Sequence, residues 1–128
     1  MNRLLPISIL MPVYNGSLFM KDAIKSILCQ TFTDFEFIII DDGSTDNSFE
    51  LANSYSDSRI VLYKNNFNIG LINTLNKGID LSKGKYIIRM DADDISHSNR
   101  LLHQFYFMEN IMTLGMAISY LIVQYNFN

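Results

Sequence analysis

Asp91, Asp93 and Asp94 set three carboxylates within four positions, in the run Arg89-Met90-Asp91-Ala92-Asp93-Asp94, directly after an apolar segment that reads as a buried strand. Carboxylates rarely stay buried without a partner. A cluster of them at a strand's carboxyl end points to a divalent cation and the phosphates that accompany it. Hard oxygen ligands favour magnesium, manganese or calcium over zinc. Residues two apart on an extended backbone project the same way, so Asp91 and Asp93 can approach one ligand. A cation bridging a diphosphate needs only one or two protein carboxylates, because phosphate and water complete its shell. The plainer reading is a solvated acidic turn. Asp94 suits a structural place in that turn as well as a ligand position, and Ser96 or Ser98 suits the cap of the next helix.

A second acidic pair, Asp41-Asp42, ends another apolar run, where a carboxylate can accept hydrogen bonds from a ribose hydroxyl or a base N–H such as uracil's. Gly43 supplies the tight turn, and Ser44, Thr45 or Asp46 a helix cap; the alternative is that Asp42 is only an Asx-turn residue. Tyr14 can stack on a base beside backbone groups exposed at Pro12 and Val13, or pack on the first helix as an edge tyrosine. Arg89 and Arg100 flank the acidic loop and can touch phosphate oxygens, a rim salt bridge being the ordinary expectation. His97 and His103 have no second His or Cys at ligand spacing and read as surface residues. Lys77, Lys83 and Lys85 read as solubilising.

These residues need elements to hold them. Ile7 to Val13 reads as a first strand closed by Pro12. Asn15-Gly16 makes a turn, with Ser17 a candidate cap for a helix whose buried face carries Phe19, Ala23, Ile24, Ile27 and Leu28. Phe35 to Ile40 is nearly uninterrupted apolar sequence, as expected of a strand covered on both faces. A helix carrying Phe49, Leu51, Ala52 and Tyr55 follows, then a strand at Ile60–Tyr63. Leu71, Ile72, Leu75, Ile79 and Leu81 make another helical stripe. Tyr86-Ile87-Ile88 is a fourth strand, Leu101 to Met108 a helix, and Met116 to Val123 a fifth strand. This alternation predicts right-handed βαβ units: an α/β, Rossmann-like, mainly parallel sheet with helices on both faces. Parallel strands bring Pro12–Asn15, Asp41–Ser44 and Asp91–Asp94 to one edge of the sheet, outside the carboxyl ends where ligands bind.

The 128 residues, 48% hydrophobic and 18% charged, suit one compact domain or part of a larger one. A net charge of -3 with no Lys/Arg run argues against nucleic acid as a partner. The lone Cys29 excludes an intramolecular disulfide and reads as a small buried side chain on an apolar helix face. The amino terminus lacks a signal-peptide pattern, and Met112 to Val123 is shorter than the ~18 apolar residues of a membrane span. A soluble, cytoplasmic protein is expected.

Together, Met11-Pro12-Val13-Tyr14-Asn15-Gly16, Gln30-Thr31-Phe32, Ile40 to Asp46, Asn68-Ile69-Gly70-Leu71, Asn76-Lys77-Gly78, Gly84-Lys85-Tyr86 and Arg89 to Ser96 resemble, in order, the "family two" group of GT-A glycosyltransferases. The last run is similar to the branch that builds lipopolysaccharide and other surface polysaccharides. The resemblance extends from about Pro6 to Gly115. It implies an inverting transferase that moves a sugar from a nucleotide-diphospho-sugar, UDP being the expected nucleotide, to a saccharide or lipid-linked acceptor. By the same resemblance, Pro12, Val13, Tyr14, Asp42, Asp91 and Ala92 hold the donor nucleotide. The Asp91-Ala92-Asp93 stretch is the DxD motif, with Asp91 facing the ribose and Asp93 carrying Mn2+ or Mg2+; Asp91 is a second candidate ligand.

Three departures accompany the match. Leu75 stands where many relatives carry Arg, and Ser98 where many carry Pro. The general base and acceptor region of the family fall past the equivalent of Asn128. Residues 1–128 therefore read as the donor-binding part of a glycosyltransferase, ending before the acceptor region, with peripheral membrane association in a longer form. A catalytically inactive nucleotide-sugar-binding remnant is the alternative. A dinucleotide-binding oxidoreductase needs a G-x-G-x-x-G turn after the first strand, where only Gly16 stands.

Overall fold

The computed structural model describes residues 4–113. Strands and helices alternate as β1 (Leu5–Val13), α1 (Met20–Leu28), β2 (Phe35–Asp41), α2 (Ser48–Asn53), β3 (Ile60–Lys64), α3 (Leu71–Leu81), β4 (Gly84–Arg89) and α4 (Arg100–Thr113). The strands pair in parallel in the order β3-β2-β1-β4. The expected fifth strand, Met116 to Val123, lies outside the described residues.

The unbroken apolar run of β2 has a simple cause. Successive side chains point to opposite faces, and both faces are covered. Phe35, Phe37 and Ile39 join Ile7, Ile9, Met11 and Val13 of β1 in a core under α1, α2 and α4. Ile38, Ile40 and Leu10 pack on the other side with Leu75, Ile79 and Leu81 of α3. Every residue of β2 is buried, and each such Ile or Phe contributes about 1.5–3 kcal/mol on leaving water. Gly78 lets α3 settle on β1: a Cβ there would lie 2.2 Å from Leu10 Cδ1.

Helix boundaries shift several expected burials. In α1 the buried residues are Met20, Ala23, Ile24 and Ile27, the i, i+3, i+4, i+7 spacing of one helical face. Phe19 precedes the helix and is 61% exposed, outside the stripe assigned to it. Cys29 is exposed, not buried, because the helix stops at Leu28 and its periodicity no longer aims the next side chain at the sheet. Leu71 and Ile72 are exposed too; they form the first turn of α3, which begins at the rim of the sheet. His97 and His103 are exposed, as expected.

The order of strands decides where a ligand can sit. The chain steps outward from β1 to β2 to β3 through α1 and α2 on one face. It then crosses by α3 on the other face to place β4 on the far side of β1. Right-handed crossovers require this change of face when the direction of travel reverses. The reversal makes a topological switch point between β1 and β4, at the carboxyl ends of the strands.

Candidate functional site

Three loops meet at that rim, after β1, β2 and β4. Val13 pairs in register with Asp41, and the Asp42 N–H donates to the Val13 carbonyl at 2.7 Å. Met90, just past β4, donates to the Leu10 carbonyl at 2.9 Å. A Cβ placed on Gly16 would lie 3.5 Å from Ala92 Cβ, so the β1 and β4 loops touch. Pro12, Val13, Tyr14, Asp42, Asp91, Ala92 and Asp93 thus belong to one edge of the molecule.

The β1 and β2 loops are laced together by side chains that sequence reading passed over. Asn15 adopts the left-handed backbone region, φ 51°, which Asn tolerates better than most residues. Its Oδ1 accepts from the Thr45 N–H at 2.8 Å and the Asp46 N–H at 3.3 Å, while its own N–H donates to Ser44 Oγ at 2.9 Å. Gly16 N–H donates to Ser48 Oγ at 2.9 Å. Ser17, expected to cap α1, instead donates its N–H to Asp46 Oδ2 at 3.1 Å. Asp46 also accepts from the Ser48 N–H at 3.0 Å, but the cap position of α2 belongs to Asn47, whose side chain makes no capping bond, so neither Thr45 nor Asp46 is the cap expected there. Burial works against the charge on Asp46, but the donors of Ser48 and Ser17 outweigh it and bring its pKa down to about 2. Tyr14 stands beside this clasp, 52% exposed, with about half of its surface open to solvent.

Asp42 is 4% exposed. Its Oδ1 accepts from Asn65 Nδ2 at 2.8 Å and the Ile69 N–H at 2.9 Å, and its Oδ2 from the Gly70 N–H at 3.0 Å. Burial opposes ionisation, yet Ile69, Asn65, Thr74 and Gly70 together hold its pKa below the ordinary carboxylate range. The residue is therefore an anchor for the Asn65–Gly70 loop and for the start of α3, as well as a member of the rim. Gly43 follows it at φ 71°, and a Cβ there would sit 2.5 Å from the Phe67 carbonyl carbon. Lys77, read as a solubilising residue, is half-buried and donates to Asn65 Oδ1 at 2.7 Å.

Asp91 to Asp94 form a turn closed by the Asp94 N–H on the Asp91 carbonyl at 3.2 Å. The extended geometry expected for Asp91 and Asp93 is replaced by this turn, because β4 already ends at Arg89. Asp91 takes Arg89 Nε at 2.9 Å and Nη2 at 2.7 Å on one oxygen, the rim pair anticipated for that arginine. Asp93 and Asp94 are exposed. Among the described residues, no group of three or more His, Cys, Asp or Glu side chains is arranged so that it could hold a metal ion by itself. A hard cation shared with a diphosphate needs only one or two carboxylates, and Asp91 and Asp93 lie in the same turn.

Arg100 is not a rim ion pair. It is half-buried, donates from Nη2 to the Arg89 carbonyl at 3.0 Å and from Nη1 to Ser96 Oγ at 2.8 Å, and so braces both ends of the acidic loop. Burial lowers its pKa, and the charges of Asp94 and Asp91 pull the other way. The cap of α4 is likewise remote from Ser96 and Ser98. Gln30 accepts the Leu101 N–H on Oε1 at 3.0 Å and donates Nε2 to the His97 carbonyl at 2.7 Å. Thr31 adds its N–H to the Ser98 carbonyl at 2.9 Å. The Gln30-Thr31 pair thus docks the segment after the acidic turn onto the end of α1. Replacing Gln30, 3% exposed, with Ala leaves the buried Leu101 N–H without its partner. A loss of about 1–3 kcal/mol in urea unfolding is expected.

The model of the family described as "Glycosyl transferase family 2" matches residues 8–126. WfaP of Escherichia coli, a UDP-Glc:alpha-D-GlcNAc-diphosphoundecaprenol beta-1,3-glucosyltransferase, is 36% identical over 103 residues, covering 80% of this chain and 41% of that protein. The structure of S. aureus TarS 1-349 in complex with UDP-GlcNAc superposes with a TM-score of 0.79 at 22% identity, over 84% of this chain and 32% of that one. The mannosyltransferase PcManGT from Pyrobaculum calidifontis, in complex with GDP-Man and Mn2+, gives a TM-score of 0.68 at 20% identity, over 78% and 31%. At such identities the two structures establish a shared α/β fold. The chain spans well under half the length of the curated relatives it matches. No helix among the described residues is long and apolar enough to cross a membrane.

Proposed function

Because the chain belongs to glycosyl transferase family 2, we propose that residues 1–128 are the donor-binding part of a glycosyltransferase. The enzyme transfers a sugar from a UDP-sugar to an acceptor hydroxyl, with inversion at the anomeric carbon. One observation carries the reading: the loops bearing Tyr14, Asp42 and Asp91–Asp94 share one rim at the switch point of the sheet. A UDP-Glc-using relative at 36% identity supports UDP as the nucleotide.

Each residue then has a task. Tyr14 stacks on the base, with Pro12 and Val13 forming the floor beside it. Asp42, ionised and acceptor-only, takes a base N–H. Asp91 and Ala92 face the ribose. Asp93, with Asp91 as the second candidate, holds Mn2+ or Mg2+. A divalent cation bound there supplies neutralisation of the charge on the departing diphosphate. The general base is assigned to none of residues 4–113. The acceptor class in this reading is a saccharide on a lipid carrier, a class supported by the name of WfaP; the enzyme then works in the cytoplasm at the inner face of a membrane.

Calorimetric titration with UDP, with and without Mn2+, tests this directly. Manganese is expected to tighten binding at least about tenfold, or ~1.4 kcal/mol. UDP binding that ignores the metal, or no binding in its presence, overturns the proposal.

A further inference from the structure

Buried amides are oriented by their neighbours, and the neighbours of Asn65 are unusually decisive. Asn65 is 6% exposed and lies between two charged groups from different elements. Its Oδ1 accepts from Lys77 Nζ at 2.7 Å, and its Nδ2 donates to Asp42 Oδ1 at 2.8 Å and to Thr74 Oγ1 at 3.3 Å. An ammonium can only donate and a carboxylate can only accept. The amide therefore has one orientation that satisfies both partners, and the reversed one would set like poles against each other at both ends.

We propose that Lys77 is a positioning residue for the base-reading carboxylate, acting on Asp42 through Asn65. The inference rests on the assignment of Asp42 to the nucleotide. Its geometric content is the chain of contacts Lys77–Asn65–Asp42. Asn65 and the Ile69 N–H hold Oδ1, the Gly70 N–H holds Oδ2, and Thr74 adds a further side-chain hydrogen bond to the carboxylate, so its setting depends on where Asn65 stands. Lys77 also brings a positive charge one side chain away from a buried negative one, which offsets part of the cost of burying it. Thr74 and Lys77 lie three apart on α3 and share a face, whereas Leu75, Ile79 and Leu81 point into the apolar layer. That polar face has a use beyond solubility: it sets the carboxylate that meets the base.

Lys77→Met and Lys77→Arg, made in the whole chain, test this with two ligands, UDP and inorganic diphosphate, each titrated with Mn2+. Lys77→Met is expected to weaken UDP about tenfold and leave diphosphate unchanged. Lys77→Arg, which can still donate to Asn65 Oδ1, is expected to recover most of the UDP affinity. In the ligand-free protein, the Asn65 side-chain NH2 resonances are expected to be protected from solvent exchange in the wild type and Lys77→Arg, and exposed in Lys77→Met. Unchanged UDP affinity in Lys77→Met, or equal losses for UDP and diphosphate, overturns the inference alone. A wild-type chain that binds diphosphate but shows no preference for UDP overturns the Asp42 assignment and the inference with it.

Discussion

Asp93→Ala is expected to abolish the manganese enhancement of UDP binding while leaving the unfolding midpoint where it is in the wild type. Asp93 is exposed, and no residue among those described bonds to it, so removing its carboxylate disturbs no fold contact. Surface substitutions of that kind stay within about 0.5 kcal/mol. The metal-dependent part of binding has no such reserve, because one or two carboxylates are all the protein contributes to a cation shared with a diphosphate. The drop in UDP affinity with Mn2+ present is at least about tenfold, equal to the enhancement itself. Asp93→Asn, which keeps the shape and removes the charge, is expected to behave alike. Asp94→Ala is the control and is expected to keep most of the enhancement. If Asp93→Ala still responds to manganese, the cation is held elsewhere, and Asp91 is the next candidate to remove.

Gly43→Ala should have the largest effect on stability and damage the site at the same time. Two costs add. At φ 71° a Cβ meets backbone strain of about 1–2 kcal/mol. The same Cβ would lie 2.5 Å from the Phe67 carbonyl carbon and 2.6 Å from the Asn68 nitrogen. Both are backbone atoms that cannot rotate away, so the loop must retreat, for roughly another 1–3 kcal/mol. The retreating loop carries the Ile69 and Gly70 N–H groups that hold Asp42. Urea unfolding is expected to show a loss of about 2–5 kcal/mol, and UDP binding to fall in whatever fraction stays folded. Full stability in Gly43→Ala would mean that Asp42 does not depend on the approach of this loop.

Both predictions concern residues visible in the chain before any coordinates, but the reasons for their effects differ. Asp93 stands in a local pattern, three acids after an apolar run. Gly43 also stands in a local pattern, yet the atoms that forbid a side chain there come from Phe67 and Asn68, more than twenty positions on. The sheet was legible for a physical reason: a strand buried on both faces needs an unbroken apolar run, and Phe35 to Ile40 supplies one. The order of alternating elements then demanded parallel pairing and a shared rim. Helix ends were less legible. Phe19, Leu71 and Ile72 extend the apolar periodicity beyond the surface the sheet offers to cover, so pattern overstated burial at the starts of α1 and α3.

The devices that lace the site together had no signature along the chain. Asn15 to Thr45, Gly16 to Ser48, Gln30 to Leu101 and Lys77 to Asn65 are each a polar side chain reaching a partner on another element. Their residue types are common in loops and on helix surfaces, and nothing nearby in sequence marks them. The amino-acid order by itself determined the strands, their parallel arrangement and the three acidic or aromatic strand ends, because hydrophobic periodicity and backbone direction are properties of short segments. Only the tertiary structure decided that Asp42 is anchored by the Asn65–Gly70 loop, that Arg100 braces the acidic loop, and that Lys77 meets Asn65. Those outcomes depend on which donors and acceptors meet after the chain has closed on itself, and hydrogen-bond satisfaction in a buried space is settled by neighbours in three dimensions.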